Sequence, residues 1–401
     1  MSAPAGPASH PAEVRRTIAI LSICGFASAL ATRFVDPMVT VIARDLAADP
    51  LHVALLSTAY ALPYALIQLV LGPIGDALGK ELVTKIVMAV LTLTLFACAA
   101  APNLPTLFGF RVLSGMAAGG IIPMGLATIG DRVRMSDRQV AIGNFLTAVL
   151  TGQLLGGVGA GIVADTIGWR GVFLFAAVVS AVSAAAVLVG FRSYRSAGGE
   201  LSFASAGKRY RRIVSIGRVR WLMAFVFAEG ILIYGVHPYI AAMLESTGMG
   251  GATQAGIAIA GFAIGGILYT LIVRWLLRVL GLLRMLRLGG FIAAGGYLAL
   301  APALPASVAT TAMFVVGIGF YMLHNSFQTQ MTEVVPEARA SAVSLHAFGF
   351  FVGQAIGPVV FGQLLGHLGR APALLACAAG LVVLGLAAAR ILGTPMSQPR
   401  R

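Results

Sequence analysis

The 401-residue sequence predicts an all-α membrane protein with twelve transmembrane helices in two pseudo-symmetric six-helix bundles. Three observations carry this prediction. Hydrophobic residues make up 58% of the chain and charged residues 10%, whereas a soluble domain carries about 25% charged residues. Twelve apolar stretches follow one another along the chain, and its second half repeats a motif of its first. A surface this poor in charge cannot face water over most of its area.

The apolar stretches are each close to the roughly 20 residues that a helix needs to cross a bilayer. The 49 glycines suit close helix packing in lipid, where small residues let backbones approach. The expected spans are 17–42, 52–72, 82–101, 104–128, 140–164, 170–191, 219–244, 253–274, 286–302, 307–330, 341–366 and 371–392.

The repeat has an offset of 201 residues, about half the chain length. Under this shift Arg138 falls on Arg339, and Gly152-Gln153 falls on Gly353-Gln354. Three more glycines, Gly156, Gly161 and Gly168, fall on Gly357, Gly362 and Gly369. A repeat of this length in an apolar chain predicts two bundles of the same topology that face each other across a cavity, as in a carrier.

The basic residues predict the orientation in the membrane. With both termini cytoplasmic, 23 of the 28 Lys and Arg residues lie in cytoplasmic segments, as the positive-inside rule requires. The other five lie outside or within spans: Arg44, Arg170, Arg370, Arg33 and Arg111. This distribution explains the net charge of +14 without a nucleic-acid partner, because no compact basic domain is present. We expect a multi-pass protein of the cell inner membrane that works as a monomer.

The composition changes along the chain predict its division into segments. A basic, hydrophilic interruption separates the sixth span from the seventh, and the Ala/Pro/Ser-rich start is expected to be disordered. The expected segments are a disordered cytoplasmic N-terminus (1–16), an N-terminal bundle (17–191), a cytoplasmic connector (192–218), a C-terminal bundle (219–392) and a cytoplasmic tail (393–401).

The loop motifs resemble those of the major facilitator superfamily. Gly72-Pro-Ile-Gly-Asp76-Ala-Leu-Gly79-Lys80 resembles its G-x-x-x-D-R-x-G-R-R signature, with Ala77 in place of the usual Arg. Arg111-Val-Leu-Ser-Gly115 resembles its R-x-x-x-G element. The run Gly152-Gln-Leu-Leu-Gly156-Gly157 resembles the G-x-x-x-G-P signature of antiporters without its Pro, and Gly353-Gln-Ala-Ile-Gly357-Pro358 keeps that Pro. The residues expected to serve helix packing are Gly152, Gly156, Gly161, Gly353, Gly357 and Pro358.

The first helix narrows the resemblance. Asp36-Pro-Met-Val-Thr-Val-Ile-Ala43 resembles the D-P-x-x-P-x-I-A run of bacterial drug- and sugar-efflux members, such as arabinose-efflux-like permeases, with Thr40 in place of the second Pro. The resemblance implies the major facilitator fold, alternating access and proton-coupled antiport of a small molecule.

Few charges lie within the expected spans away from the span ends, namely those of Arg33, Asp36, Arg111 and Glu229. Each costs about 2.5–3.5 kcal/mol at the centre of a lone helix, so each should face a cavity or a partner. We expect Asp36 to exchange the coupled proton under the influence of Arg33 and Arg111, which lie at a similar depth. The alternatives are a permanent ion pair between two helices, and a proton carried by Glu229 near the middle of the membrane.

Polar and aromatic side chains near the repeat interface are candidates for substrate contact. Pro238 and its neighbours are expected to break the seventh span, and broken helices are where carriers bind substrate. The expected substrate-binding residues are Tyr60, Tyr64, Phe145, Gln153, Tyr234, His237, Tyr239, His324, Asn325, Gln328, His346 and Gln354.

Charged loop residues at the cytoplasmic side are candidates for a gate. Glu333-Val-Val-Pro336-Glu-Ala-Arg339 resembles the superfamily's E-x-x-P-x-x-x-R loop, one residue shorter, and its counterparts in the first half are Asp131 and Arg138. Salt bridges between the halves are expected to close the inner face, the alternative being solvated surface pairs. The expected gating residues are Gly72, Asp76, Gly79, Lys80, Asp131, Arg138, Glu333 and Arg339.

The sequence favours transport over other functions. No nucleophile–base pair, phosphate loop or metal cluster is present, and Cys24, Cys98 and Cys377 lie far apart within spans, so no enzyme activity, metal or cofactor is expected. Energy must then come from the proton gradient. The favoured function is proton-coupled efflux of a drug, sugar or metabolite. A symporter or facilitator that imports a small organic anion, and a non-transporting receptor or scaffold, remain alternatives.

Overall fold

The computed structural model describes residues 11–191, 203–302, 305–335 and 338–393, and these residues form helices joined by short turns. The helices are α1 (Pro11–Arg33), α2 (Val39–Asp45), α3 (Pro50–Leu78), α4 (Lys80–Ala99), α5 (Leu104–Ala118), α6 (Ile121–Arg132), α7 (Met135–Gly190), α8 (Phe203–Val214), α9 (Gly217–Tyr234), α10 (Ile240–Glu245), α11 (Ala252–Leu300), α12 (Ala306–Val334), α13 (Arg339–Leu368) and α14 (Arg370–Gly393).

Two helices are too long for one membrane crossing. α7 has 56 residues and α11 has 49, which at 1.5 Å per residue is well over twice the roughly 30 Å of the hydrocarbon core. Each is broken by a glycine at positive φ, Gly168 (φ 77°) and Gly281 (φ 66°), where a residue with a Cβ would be strained. The described residues contain ten long apolar helical segments, and dividing α7 and α11 at these glycines yields twelve.

The first and seventh crossings are interrupted at equivalent places. α1 and α2 are separated by a 3₁₀ turn at Asp36–Met38, and α9 and α10 by one at His237–Tyr239. Each turn contains a proline, Pro37 or Pro238, which lacks the N–H that a continuous helix needs. The predicted break in the seventh crossing is confirmed. The break in the first was not predicted, although Pro37 gives the same signal.

Two of the expected segments contain helix that the sequence analysis did not predict. α1 begins at Pro11, so residues 11–16 are helical, and the expectation of a disordered segment over 1–16 is wrong for them. Residues 1–10 and 394–401 lie outside the described part. The connector holds α8, whose basic residues Lys208, Arg209, Arg211 and Arg212 are exposed while Ile213 is buried.

Close contact between backbones sets the packing within each half, that is, residues 11–191 and 217–393. A Cβ on Gly152 would overlap the carbonyl oxygen of Phe26, and one on Gly353 would overlap that of Phe227. Phe26 and Phe227 are themselves 201 residues apart. The first and fifth crossings therefore pack in the same way as the seventh and eleventh, and α9 packs on α13 as α1 packs on α7.

The halves meet at the end of the molecule where α2 and α10 finish, which we call the closed end. Here Arg44 of α2 pairs with Glu245 of α10 at 3.1 Å, and the Thr40 hydroxyl donates to the same carboxylate at 2.7 Å. The Thr253 hydroxyl and backbone N–H both donate to Asp165. Among the described side chains, Arg44–Glu245 is the one ion pair that joins the two halves.

Candidate functional site

Arg33, the last residue of α1, links the two halves near the middle of the molecule. Its Nη1 lies 3.5 Å from a carboxylate oxygen of Asp36 in its own half. Its Nη2 donates to the side-chain oxygen of Gln354 on α13, and its guanidinium carbon lies 3.9 Å from the centre of the Tyr234 ring on α9. One side chain thus joins a carboxylate of the N-terminal half to two groups of the C-terminal half.

Asp36 lies in the 3₁₀ turn that breaks the first crossing, and it is 1% exposed. The Ser57 hydroxyl donates to its Oδ1 at 2.6 Å. Its Oδ2 accepts no hydrogen bond from the described residues and faces Arg33. A proton on this oxygen would neutralise the carboxylate and remove its charge attraction to Arg33.

Arg111 on α5 is fully buried beside this pair but does not bond to Asp36. Its Nη1 donates to the carbonyl oxygen of Ala31, and its guanidinium carbon lies 4.2 Å from the centre of the Tyr60 ring. Its Nε and Nη2 have no hydrogen-bond partner among the described residues. Arg111 therefore acts on Asp36 through space, and it keeps two donors for a further group.

A second polar cluster lies within the C-terminal half. Glu229 on α9 accepts a hydrogen bond from, or donates one to, Nδ1 of His324 on α12 at 2.9 Å. The ring centre of His346 lies 5.0 Å from that of His324. Glu229 thus has a partner 95 residues away in the sequence. Its Oε1 has no hydrogen-bond partner within the described part.

A small cavity lies between the halves beside Arg33. It has a volume of about 50 Å³, room for a few water molecules. Four of the expected residues, Arg33, Gln153, Tyr234 and His237, line it together with Tyr321. Its remaining wall is apolar and is made by Leu154, Ile259, Ala260, Phe262 and Ala263.

The other expected substrate-binding residues lie away from this cavity. Tyr60 stacks on Tyr64, and Tyr64 contacts Phe351 across the interface. Phe145 is fully buried and fills the space left by two glycines within the N-terminal half. The remaining three have separate surroundings: the Tyr239 hydroxyl donates to the Pro358 carbonyl, Asn325 bonds to Tyr269, and Gln328 is exposed.

The expected gating residues pair within their own halves in this conformation. Lys80 bonds to Asp131 at 2.5 Å, and Arg138 donates to backbone carbonyls of Gly130 and Val133. Glu333 accepts from Gln330. Gly79, at φ 91°, ends α3. The side chains of Asp76 and Arg339 lie outside the described part. Of residue 72 only the helical backbone is described. The end opposite the closed end is thus free of ion pairs between halves among the described side chains.

Several residues at this site were missed by sequence reasoning. Ser57 holds Asp36, Phe262 lines the cavity, and the Thr58 hydroxyl donates across the interface to the Ala355 carbonyl at 2.6 Å. Ser57 and Thr58 are adjacent small polar residues within an apolar span, which is a signal that sequence reasoning could have used.

Comparison with known proteins gives consistent matches. Residues 21–358 match the sequence model described as Major Facilitator Superfamily. The uncharacterized MFS-type transporter YwfA of Bacillus subtilis is 24% identical over 60% of this chain and 59% of its own length. YceJ of the same organism is 26% identical over 77% of this chain and 78% of its own length. The putative multidrug resistance protein MdtD of Klebsiella pneumoniae is 28% identical over 44% of this chain and 38% of its own length. The chain thus spans about three-fifths of YwfA and less of MdtD.

Solved structures share the fold. A POT family transporter in complex with a thioalcohol-conjugated peptide superimposes with a TM-score of 0.77 at 14% identity, over 96% of each chain. The nucleoside transporter NupG has a TM-score of 0.73 at 16% identity, over 94% of this chain and 100% of its own. The family match covers most of the chain and agrees with the two-bundle fold, and it follows that this chain belongs to the Major Facilitator Superfamily.

Proposed function

We propose that the protein is a secondary transporter that exports a small molecule in exchange for protons by alternating access. The observation that carries this proposal is the position of Asp36. It is a buried carboxylate whose Oδ2 accepts no hydrogen bond from the described residues and faces Arg33, and Arg33 also holds the opposite half through Gln354 and Tyr234. A change in the charge of Asp36 therefore bears on a contact between the halves.

The coupling follows from electrostatics. Ionised Asp36 holds Arg33 by charge at a largely buried site, where the attraction is stronger than in bulk solvent. When Asp36 binds a proton it becomes neutral, and that attraction is lost. Arg33 is then freer to leave Gln354, and the two halves are freer to separate at this level. Release of the proton on the other side of the membrane restores the pair.

Export is supported by orientation and by resemblance. The basic residues favour cytoplasmic termini, which puts the closed end on the outside. The ion pair that joins the halves is then on the outer side, and a transporter closed on that side receives its cargo from the cytoplasm. The efflux-type motif at Asp36–Ala43 and the similarity to a putative multidrug resistance protein point the same way.

The test uses purified protein in liposomes with an internal pH-sensitive dye and an imposed proton gradient. Drugs, sugars and organic acids are added in turn to wild type, Asp36→Asn and the matched control Asp137→Asn, whose carboxylate lies on the surface beside Arg134. We expect substrate-dependent proton flux in wild type and the control, and none in Asp36→Asn. Normal flux in Asp36→Asn refutes the role of Asp36.

A second candidate is import of a small organic anion. It is favoured by Arg111, whose Nε and Nη2 have no hydrogen-bond partner among the described residues, and by the nearby guanidinium of Arg33. Two guanidinium groups in a dry site bind a carboxylate or phosphate well. Uptake of a radiolabelled organic anion without proton flux would establish a facilitator, and uptake together with protons a symporter.

A further inference from the structure

The central cavity lies where the two halves differ. Under the 201-residue shift Arg33 corresponds to Tyr234, and Gln354 corresponds to Gln153. On one side of the interface the long Arg33 side chain reaches Gln354 and fills the space between the two helices. On the other side Tyr234 and Gln153 line the cavity instead. Tyrosine is shorter than arginine and carries no charge, so the second contact is not made and a space remains.

Polar atoms in this space lack protein partners. Gln153 makes no hydrogen bond to any described residue, and Nε2 of His237 is buried and unpartnered within the same part of the chain. His237 is 1% exposed and lines the cavity. A buried polar atom left without a partner costs free energy, commonly about 1–3 kcal/mol. Such an atom beside a cavity indicates a group that enters and bonds to it.

The chemistry of that group follows from the histidine. Nδ1 of His237 lies 3.0 Å from the carbonyl oxygen of Ile233. A carbonyl oxygen only accepts, so Nδ1 carries the proton of the neutral ring. Nε2 is then left with a lone pair and can only accept. The incoming group must therefore be a hydrogen-bond donor.

The charge of the site narrows the choice further. The guanidinium of Arg33 lines the same cavity and repels a cationic donor such as an ammonium group. An ionised carboxylate group only accepts hydrogen bonds and has no proton to give to Nε2. A neutral donor meets both conditions, and the apolar wall of Ile259, Ala260 and Phe262 suits an apolar part of the same molecule.

We propose that this cavity is a substrate subsite for a neutral hydroxyl group, which donates to Nε2 of His237 and bonds to the amide of Gln153. The substrate class is thus a neutral, hydroxyl-bearing molecule with an apolar face, of the glycoside type. The cavity volume of about 50 Å³ accommodates one such group and not the whole substrate. The inference rests on the proposed function only in naming the cargo of the transporter.

The test measures binding and needs no transport. Thermal unfolding of the purified full-length protein in detergent is followed with phenyl β-glucoside, its tetra-O-methyl derivative, phenyltrimethylammonium and benzoate. The methylated probe keeps its acceptors and loses its donors. We expect phenyl β-glucoside to stabilise the protein and the methylated probe to bind about tenfold more weakly, the loss of roughly one hydrogen bond.

Variants place the binding at this cavity. His237→Phe keeps a planar ring but lacks the acceptor nitrogen. If His237→Phe does not fold, Gln153→Leu is the second variant of the cavity. The matched control is His367→Phe, at an exposed histidine of α13. We expect about tenfold weaker binding of phenyl β-glucoside in the cavity variants and no change in the control.

The outcomes separate this inference from the proposed function. Equal binding of the methylated probe, binding of the charged probes alone, no binding of the glucoside up to its solubility limit, or unchanged binding in both cavity variants each overturns the subsite. Specific glucoside binding without any glucoside-dependent proton flux in liposomes overturns proton-coupled export and leaves the subsite in place.

Discussion

Arg33 and Tyr234 are 201 residues apart, occupy the same position in the two repeats, and contact each other, with the guanidinium carbon 3.9 Å from the ring centre. Arg44 and Glu245 have the same separation and form an ion pair at the closed end. Residues related by the repeat meet where the pseudo-twofold axis passes. The axis therefore runs through a cation–π contact in the middle of the molecule and an ion pair at its closed end.

Replacing Arg33 by Lys is expected to lower substrate-driven proton flux at least tenfold. Arg33 uses separate nitrogens for Asp36 and Gln354 and its flat face for Tyr234. The ammonium group of lysine is a compact charge without a flat face, so it cannot make all three of these contacts at once. Flux in liposomes is compared with that of Arg134→Lys, at an exposed arginine. Flux equal to wild type would show that charge alone suffices.

Arg44 and Glu245 are expected to hold the closed end by charge. The pair is largely solvated, with 69% and 28% of the side chains exposed, so its energy is at most about 1 kcal/mol. A cysteine in place of Gln153, in the cavity, is labelled by an impermeant maleimide added at the closed end. We expect faster labelling with Arg44→Glu and restored protection when Glu245→Arg is added. Protection that stays lost in the double variant would contradict the ion-pair role.

Replacing Gly353 by Ala is expected to lower the thermal stability of the protein in detergent. The new methyl group overlaps the carbonyl oxygen of Phe227, and overpacking of this kind costs about 1–3 kcal/mol. Gly295→Ala is the matched control, because a Cβ there meets no neighbour within 4 Å. In an open helical position alanine is favoured over glycine by up to about 1 kcal/mol, so the control should keep or gain stability. Equal melting temperatures would refute the packing argument.

Replacing Glu229 by Gln is expected to leave substrate-coupled proton flux intact. Glutamine has nearly the same shape, and its side-chain oxygen or NH₂ group can bond to Nδ1 of His324 in place of the carboxyl group. Glu229→Leu leaves that histidine nitrogen without a partner and should lower stability by about 1–3 kcal/mol. Loss of coupled flux in Glu229→Gln, with normal folding, would show that Glu229 rather than Asp36 carries the coupled proton.

The fold could be predicted from the sequence, because hydropathy and the 201-residue repeat act over whole segments. The positions of Gly168 and Gly281 fall in the expected gaps between spans. The helical start at Pro11 and the helix α8 were not predicted, since both lie in polar stretches whose structure depends on contacts with other helices.

The site was predictable in part. Arg33 and Asp36 are three residues apart on one chain segment, so their pairing follows from local geometry. The contacts of Arg33 with Gln354 and of Glu229 with His324 join distant helices, and nothing in their local sequence specifies rotation or depth. Hydropathy places a residue along its helix but does not say which neighbour it faces.

The repeat places arginine at position 33 and tyrosine at position 234, so the two halves are chemically unlike where they meet. The N-terminal half contributes the ion pair of Arg33 with Asp36, and the C-terminal half has Tyr234 and His237 at the equivalent positions. Both sets of side chains meet at one cavity, because Arg33 lines it together with Tyr234 and His237. A substitution at Tyr234 therefore alters the surroundings of Arg33 as well as the shape of the cavity. The shape of the cavity and the ion pair of Arg33 with Asp36 thus change together.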